Sequence, residues 1–235
     1  MAGLNRSQVA KSPGKMPYGN SPDMSSIPRI KIRVESLSDL VFGLALSIGS
    51  LELIARAPQN AFDLAVSVRL FAFSIFIVVS IWLGYARIIA IMPQETGRAL
   101  ALNILLLFLV VLEPYLFFVL QSTSLGSSFL DSASFEYAFD VGGMFLILGG
   151  MVRITLQERK KQPGNELHPI LHRRLRLAAK FYTLIGALYL TSALPFFWVD
   201  SPIGFLRFAF WYSAFGFVFF GVINRRRERT GATVK

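Results

Sequence analysis

Six long apolar segments dominate this sequence and restrict it to one class of fold. A helix needs roughly 20 mainly apolar residues to cross the hydrocarbon core of a bilayer. The sequence predicts such spans at residues 36–54, 61–92, 99–121, 135–156, 177–199 and 203–223. Proline or glycine residues lie between them, as is typical of helix boundaries. We therefore expect an all-α integral membrane protein with six transmembrane helices.

The composition agrees with a membrane protein and excludes several other classes. Of the 235 residues, 54% are hydrophobic and only 16% are charged, which is unusual for a soluble domain. The formal net charge of +10 does not predict a nucleic-acid partner, because the basic residues lie between apolar spans and form no contiguous basic domain. The absence of cysteine excludes disulfides, thiolate metal sites and cysteine nucleophiles.

The distribution of Lys and Arg predicts the topology. They are concentrated in the N-terminal tail, in the links after the second and fourth spans, and in the C-terminal tail. By the positive-inside rule, both termini are cytoplasmic. Residues 1–28 lack the apolar region of a signal peptide and are predicted to form a disordered cytoplasmic tail. Residues 29–224 form the transmembrane domain, and residues 225–235 form a basic cytoplasmic tail.

The first span carries a stripe typical of a pore wall. At 100° per residue, Leu40, Leu44, Ser47, Leu51 and Ile54 fall within about 40° of one line. If several copies of this helix surrounded an axis, Leu44 and Leu51 would form apolar rings able to gate by dewetting. Ser47 would form a hydroxyl ring that replaces part of an ion's hydration shell. The alternative interpretation is that the stripe serves ordinary helix packing.

Polar residues at the start of this span have two interpretations. Ser36 and Asp39 have the spacing of a capping box, in which Ser36 is the N-cap and Asp39 satisfies a free backbone donor. The functional alternative is that Asp39 is buried among helix ends, where polar side chains of the second and third spans hold it.

The same residues resemble a known signature. Arg33, Leu37, Ser38 and Asp39, followed directly by an apolar span, are similar to the RxxxFSD signature of the transmembrane protein 175 family of potassium channels. Leu37 replaces the Phe of the signature, which leaves its polar pair intact.

The resemblance extends through the next two spans. Phe73 and Ser74, followed by Trp82, resemble an aromatic-Ser stretch and Trp of the family. Asn103, ahead of an apolar run that ends at Pro114, resembles the third helix of the family. The single set of six spans is similar to the prokaryotic members, which are plasma-membrane proteins.

This resemblance implies a function and an assembly. The family forms homotetramers whose first helices line one central pore, with K⁺ as the permeant ion and no cofactor. Its constriction corresponds to Leu44 here, and its hydroxyl layer corresponds to Ser47, where Thr is commoner. Its polar motif residues brace the cytoplasmic helix ends.

The bracing role passes to Arg33, Ser38 and Asp39, with Trp82 and Asn103 as their partners. Many members carry His after the Trp of the second span. Tyr85 stands in that region here.

Two acidic residues in or near the spans have open interpretations, and a third has one. Glu52 is a candidate charge at the pore mouth, or a partner of Arg56 four residues later. Glu113 is an intramembrane carboxylate and thus a functional candidate, or a structural partner of Arg69. Asp140 is expected near the outer interface.

The sequence offers less support for other function classes than for a channel. A proton- or ion-coupled secondary transporter would use Glu113 or Asp39 as its ion site, but the sequence shows no internal repeat of the kind common in transporters. A membrane enzyme is disfavoured because no catalytic set stands out. His168 and His172 are not expected to bind metal, because Pro169 separates them and no HExxH motif is present.

Overall fold

The chain folds into a bundle of helices. The computed structural model describes residues 29–55, 58–92, 96–121, 127–161, 168–197, 203–204 and 206–217, without the side chains of 29–31, 52–55 and 127. The helices are α1 (Arg29–Ala55), α2 (Ala61–Ile91), α3 (Gly97–Leu120), α4 (Ser127–Lys160) and α5 (Pro169–Ser192), followed by a 3₁₀ turn at Pro195–Phe197. Residues 206–217 are also helical, and we call them α6. The predicted all-α fold is confirmed.

Local sequence explains where several helices begin. The side chain of Asn60 accepts a hydrogen bond from the backbone N–H of Asp63 at 2.9 Å and starts α2. Thr96 caps α3 in the same way through the backbone N–H of Ala99, at 3.3 Å. Both residues satisfy a backbone donor that has no partner inside the helix. At α5, Pro169 occupies the start of the helix, where its fixed φ is preorganised and its missing N–H costs nothing.

Three helices begin earlier than predicted. α1 starts at Arg29 and not at 36, α4 starts at Ser127 and not at 135, and α5 starts at Pro169 and not at 177. Hydropathy marks only the part of a helix that suits hydrocarbon. In α1 and α5 the helix continues beyond it through Arg, Lys and Leu, which have high helix propensity. The added start of α4 is rich in serine, and propensity does not explain it.

The other predicted boundaries vary in outcome. The second and third spans agree with α2 and α3 to within two residues at each end. For the sixth span, residues 206–217 are helical, and 218–223 lie outside the described residues. The predicted tails, 1–28 and 225–235, also lie outside them.

Four helices have the length and composition needed to cross a membrane. They comprise Ile32–Leu51, Ala61–Ile91, Gly97–Leu120 and Ser128–Lys160. Helix α5 is not among these, and its first half is rich in basic residues. Together, the apolar helices define an integral, multi-pass membrane protein.

Helix α4 is the centre of the bundle. It packs against α5, α3 and α2, while α1 packs on α2 and α3. Met144, Leu148 and Met151 of α4 are fully buried. Since 3.6 residues make one turn, these side chains follow one another along one face of the helix. α1 is thus attached to the bundle through α2 and α3.

Two glycines set the distance between α4 and α5. A Cβ atom on Gly186 would lie 2.8 Å from the backbone oxygen of Gly142, and one on Gly142 would lie 3.1 Å from the backbone oxygen of Gly186. Real Cβ atoms do not approach a backbone oxygen to 2.8 Å. Small residues at such crossings let helix backbones approach closely in membranes.

We expect Gly186→Ala to lower the thermal midpoint in mild detergent, because the added methyl group forces α4 and α5 apart and loosens the core of the bundle. The cost should be about 1–3 kcal/mol, as for other overpacked sites. Gly216→Ala is the control, since a Cβ there meets nothing within 4 Å and alanine favours a helix. Equal midpoints for the two variants would contradict the close approach.

Candidate functional site

One face of α1 is left uncovered by the rest of the subunit. Its buried side includes Ser38, Phe42, Ala45 and Gly49, which repeat at helical spacing. The exposed side chains are Ile32, Arg33, Ser36, Leu37, Asp39, Leu40, Gly43, Leu44, Ser47, Ser50 and Leu51. At 100° per residue they occupy an arc of about 160°. α1 therefore has one bundle face and one open face.

The predicted pore stripe lies on this open face. Leu44 is 53% exposed and Leu51 is 60% exposed, and Ser47 lies near the middle of the exposed arc. The hydroxyl of Ser47 donates to the backbone oxygen of Gly43 at 2.8 Å. A hydroxyl has one proton and two lone pairs. Because the proton is engaged in the helix, the lone pairs of Ser47 remain available as acceptors.

The open face of α1 differs from a surface suited to lipid. From residue 100 to the end of α3, the exposed side chains form an apolar and aromatic stripe: Leu100, Ala101, Ile104, Leu105, Phe108, Val111 and Tyr115. On α1 the exposed leucines alternate with Ser36, Asp39, Gly43, Ser47 and Ser50. Contact with acyl chains is unfavourable for hydroxyl and carboxylate groups. It is favourable for an apolar stripe. The open face of α1 is better suited to water or to another protein surface.

Hydrogen bonds attach the N-terminal half of α1 to α2. The hydroxyls of Ser38 and Tyr85 are 2.7 Å apart, and both residues are buried. One residue further along α1, Asp39 accepts a hydrogen bond from the indole N–H of Trp82 at 3.0 Å. Trp82 and Tyr85 are three residues apart and lie on one face of α2. We call these four residues the α1 brace.

The direction of the Ser38–Tyr85 hydrogen bond follows from proton counting. Ser38 donates its one hydroxyl proton to the backbone oxygen of Val34 at 2.8 Å. Its oxygen is then the acceptor from the Tyr85 hydroxyl. The phenol therefore donates to α1.

The capping-box interpretation of Ser36 and Asp39 is wrong. α1 begins at Arg29, so both residues lie inside the helix, where the backbone donors are already paired. The functional interpretation is only partly right, because Asp39 has a polar partner on α2 and yet is exposed, not buried.

The structure does not bring all the motif residues together. Arg33 and Leu37 are exposed on the open face, and within the described ranges no hydrogen bond or ion pair joins Arg33 to the α1 brace. Asn103 of α3 is buried, but its side-chain oxygen has no hydrogen-bond partner among the described residues. The side chain of Glu52 lies outside the described residues, so its role stays a prediction.

Tyr85 is a brace residue that sequence reasoning did not assign. In the sequence, Tyr85 is only a departure from the His that many members of the family carry. The available signal was its spacing, three residues after Trp82, which puts both side chains on one face of α2.

We expect Tyr85→Phe to destabilise the subunit by about 1 kcal/mol, because it removes one buried neutral hydrogen bond. Tyr115→Phe is the matched control, since Tyr115 is 61% exposed on α3. A double-mutant cycle with Ser38→Ala should show a coupling of about 0.5–1.5 kcal/mol by detergent unfolding. A coupling near zero would mean that the two hydroxyls do not interact.

A second polar group lies inside the bundle, away from α1. The carboxylate of Glu113 is fully buried and accepts from the hydroxyl of Ser74, which lies 3.1 Å from each of its oxygens. Tyr137 of α4 also donates to Glu113, at 3.5 Å. The suggested pairing of Glu113 with Arg69 is not found, because Arg69 is exposed and donates to the backbone oxygen of Ala65. Glu113 thus links α2, α3 and α4.

Two further acids of α4 are buried. Asp131 forms a 2.8 Å ion pair with Arg207 of α6, and both side chains are less than a tenth exposed. Asp140, expected near the outer interface, is instead enclosed in the bundle with 1% exposure. Neither of its carboxyl oxygens has a hydrogen-bond partner among the described residues.

We expect the two buried acids Glu113 and Asp140 to respond differently to substitution. Glu113→Met should destabilise by about 1–3 kcal/mol, because Ser74 and Tyr137 lose a buried acceptor. Asp140→Asn should leave stability unchanged or raise it, because no hydrogen bond of the described chain is lost. Thermal unfolding followed by size-exclusion chromatography measures both. A larger loss for Asp140→Asn would show that this acid has a structural partner.

These observations define the class of protein to which the chain belongs. It is a multi-pass helical membrane protein whose first helix is fixed to the bundle on one face and presents hydroxyls and leucines on the other. Such a helix is suited to line a path shared between subunits.

Comparisons with known proteins agree with this class. The sequence model of the family described as "Endosomal/lysosomal potassium channel TMEM175" matches residues 33–114, which include the α1 brace and the pore stripe. The predicted resemblance to this family is therefore confirmed over residues 33–114. No curated protein matches the chain.

Two solved structures share the fold over most of the chain. One is a lysosomal potassium-selective channel TMEM175 homolog from Chamaesiphon minutus, with a TM-score of 0.56 and 19% identity, covering 82% of this chain and 98% of that one. The other is a variant of the potassium channel MtTMEM175 in complex with a Nanobody–MBP fusion protein, with a TM-score of 0.59 and 19% identity, covering 83% and 93%. At this identity the likeness establishes the fold.

Proposed function

We propose that this chain is the subunit of a potassium-selective channel, in which four copies of α1 surround one central pore. The observation that carries this proposal is the open face of α1. It combines exposed leucines with hydroxyl groups, and it lies within the residues that match a family of potassium channels. One copy of α1 cannot enclose a pore, so the function requires several subunits.

The side chains of the open face suit separate tasks. Leu44 forms the constriction, and Leu51 forms a second apolar ring about two turns further along the helix. Apolar rings of this kind stop ion flow when the pore dewets. Glu52, one residue beyond Leu51, would raise the local cation concentration at the mouth.

Ser47 is the candidate for ion preference. Its hydroxyl proton is engaged by the backbone oxygen of Gly43, so a ring of Ser47 side chains presents lone pairs to the pore. Lone pairs replace part of the hydration shell of K⁺, as carbonyl oxygens do in other potassium filters.

The α1 brace holds the pore-lining helix in position. Ser38 and Asp39 fix the inner part of α1 to α2 through Tyr85 and Trp82. A pore radius depends on the position of each lining helix. If the N-terminal half of α1 were not fixed to α2, the constriction would widen or collapse. The alternative function, a secondary transporter that uses Glu113 as its ion site, has less support. Glu113 is fully buried and accepts a hydrogen bond from Ser74.

The proposal is tested first by reversal potential. Purified protein in planar bilayers, with K⁺ on one side and Na⁺ on the other, should give a current that reverses toward the potassium equilibrium potential. Ser47→Ala should move the reversal potential toward zero, because the hydroxyl ring is lost. No current from folded, oligomeric protein would contradict the channel. Saturable, proton-coupled flux abolished by Glu113→Gln would favour the transporter.

Leu44→Ala should increase single-channel conductance or leak severalfold, because a smaller and less apolar ring favours water in the constriction. Leu64→Ala is the matched control: Leu64 is 50% exposed, close to the 53% of Leu44, but lies on α2. Unchanged currents in Leu44→Ala, with native currents in the control, would place the constriction elsewhere.

A further inference from the structure

The first half of α5 presents an unusual concentration of positive charge. Arg173, Arg174, Arg176 and Lys180 are all exposed, and none forms an ion pair with any residue that the structure describes. Positive side chains at the cytoplasmic end of a span are expected from topology alone. Four exposed cations within two turns of one helix are more than this rule requires.

An apolar line runs beside these cations. Ile170, Leu177 and Leu184 are 59%, 56% and 54% exposed, and their spacing of seven places them along one side of α5. On the helical wheel, Arg173 and Lys180 fall within about 60° of this line. One surface of α5 therefore offers an apolar strip with a basic border.

The surface is held in a fixed orientation. The opposite side of α5 packs on α4, with Ala179, Tyr182, Ile185 and Tyr189 buried. Gly186 brings the two backbones close together. The basic border and the apolar strip therefore face away from the subunit and are exposed side by side.

Long side chains bring the cations of α5 within reach of the headgroup region of a bilayer. Arg173 and Lys180 are separated by about 10 Å along the helix. The polar region on each side of the hydrocarbon core is about 5–8 Å thick, and long basic side chains extend their charge beyond the backbone position. The cations can therefore reach phosphates while Leu177 and Leu184 contact acyl chains.

We propose that this surface of α5 binds anionic phospholipids of the leaflet on the side where α5 begins. Arg173, Arg176 and Lys180 contact the phosphate groups, and the apolar strip contacts the lipid chains. A soluble anion would use the cations but not the strip, so the two features together favour a lipid. The proposal rests on α5 lying against the bilayer, and not on ion conduction.

The test uses the full-length protein in bilayers of phosphatidylcholine with phosphatidylglycerol. Electron spin resonance of spin-labelled lipids measures the association of phosphatidylglycerol relative to phosphatidylcholine. In the triple variant Arg173→Gln, Arg176→Gln, Lys180→Gln, this relative association should fall about threefold or more, since each basic residue near the surface contributes to attraction. Added inorganic phosphate at equal ionic strength should not compete.

A charge-matched control separates this surface from overall charge. The triple variant Arg87→Gln, Arg98→Gln, Lys161→Gln also removes three positive charges, but from other exposed residues at the same end of the bundle. Its relative association should fall far less. An equal fall in both variants, or no fall in the α5 variant, would overturn the proposal.

A second measurement covers the case in which the α5 variant does not fold. The chain has no cysteine, so Leu177→Cys and Leu105→Cys each accept one spin label on the otherwise native protein. Adding phosphatidylglycerol should slow the label at 177 and leave the label at 105 unchanged. Identical mobility changes at both positions would overturn the proposal. Neither assay measures ion flux, so failure of the channel proposal would not affect them.

Discussion

The hydrocarbon core of a bilayer offers no water to hydrogen-bond with the backbone. Each span must therefore satisfy its own N–H and C=O groups, and a helix does so within one segment. This constraint explains why the described chain is helical and why side-chain caps such as Asn60 and Thr96 occur at helix ends. It also applies to side chains. Asp131 and Glu113 are buried in the bundle with partners, Arg207 for the first and Ser74 for the second. Asp140 is an exception, because its carboxyl oxygens have no hydrogen-bond partner among the described residues.

The same constraint indicates what the open face of α1 contacts. Beyond Arg98 the exposed residues of α3 are apolar or aromatic, whereas on α1 the exposed leucines alternate with serines, Arg33 and Asp39. A surface of this kind is costly against lipid and suitable beside water or another subunit. The match of residues 33–114 to a potassium-channel family agrees with that interpretation.

The sequence predicted the fold class, and it placed the candidate pore stripe on one face of α1, because both depend on local patterns. Apolar length located α2 and α3 to within two residues, and helical spacing placed Leu44 and Ser47 on one line. Boundaries failed where helices leave hydrocarbon, as at α5, since hydropathy does not detect polar helix. The Ser38–Tyr85 contact was missed because it joins residues 47 positions apart. The failed pairing of Glu113 with Arg69 has the same cause, since only packing decides which helix faces meet.

The hydrogen bond from Ser47 to the Gly43 carbonyl has a consequence for the sign of the permeant ion. A free hydroxyl can turn its proton toward an anion or its lone pairs toward a cation, and thus serves either. Because the hydroxyl of Ser47 donates its proton to the backbone oxygen of Gly43, with 2.8 Å between the two oxygens, that choice is removed. A ring of such hydroxyls in the proposed tetramer would repel chloride without any acidic side chain. The α-helix itself would then make a neutral residue discriminate by charge.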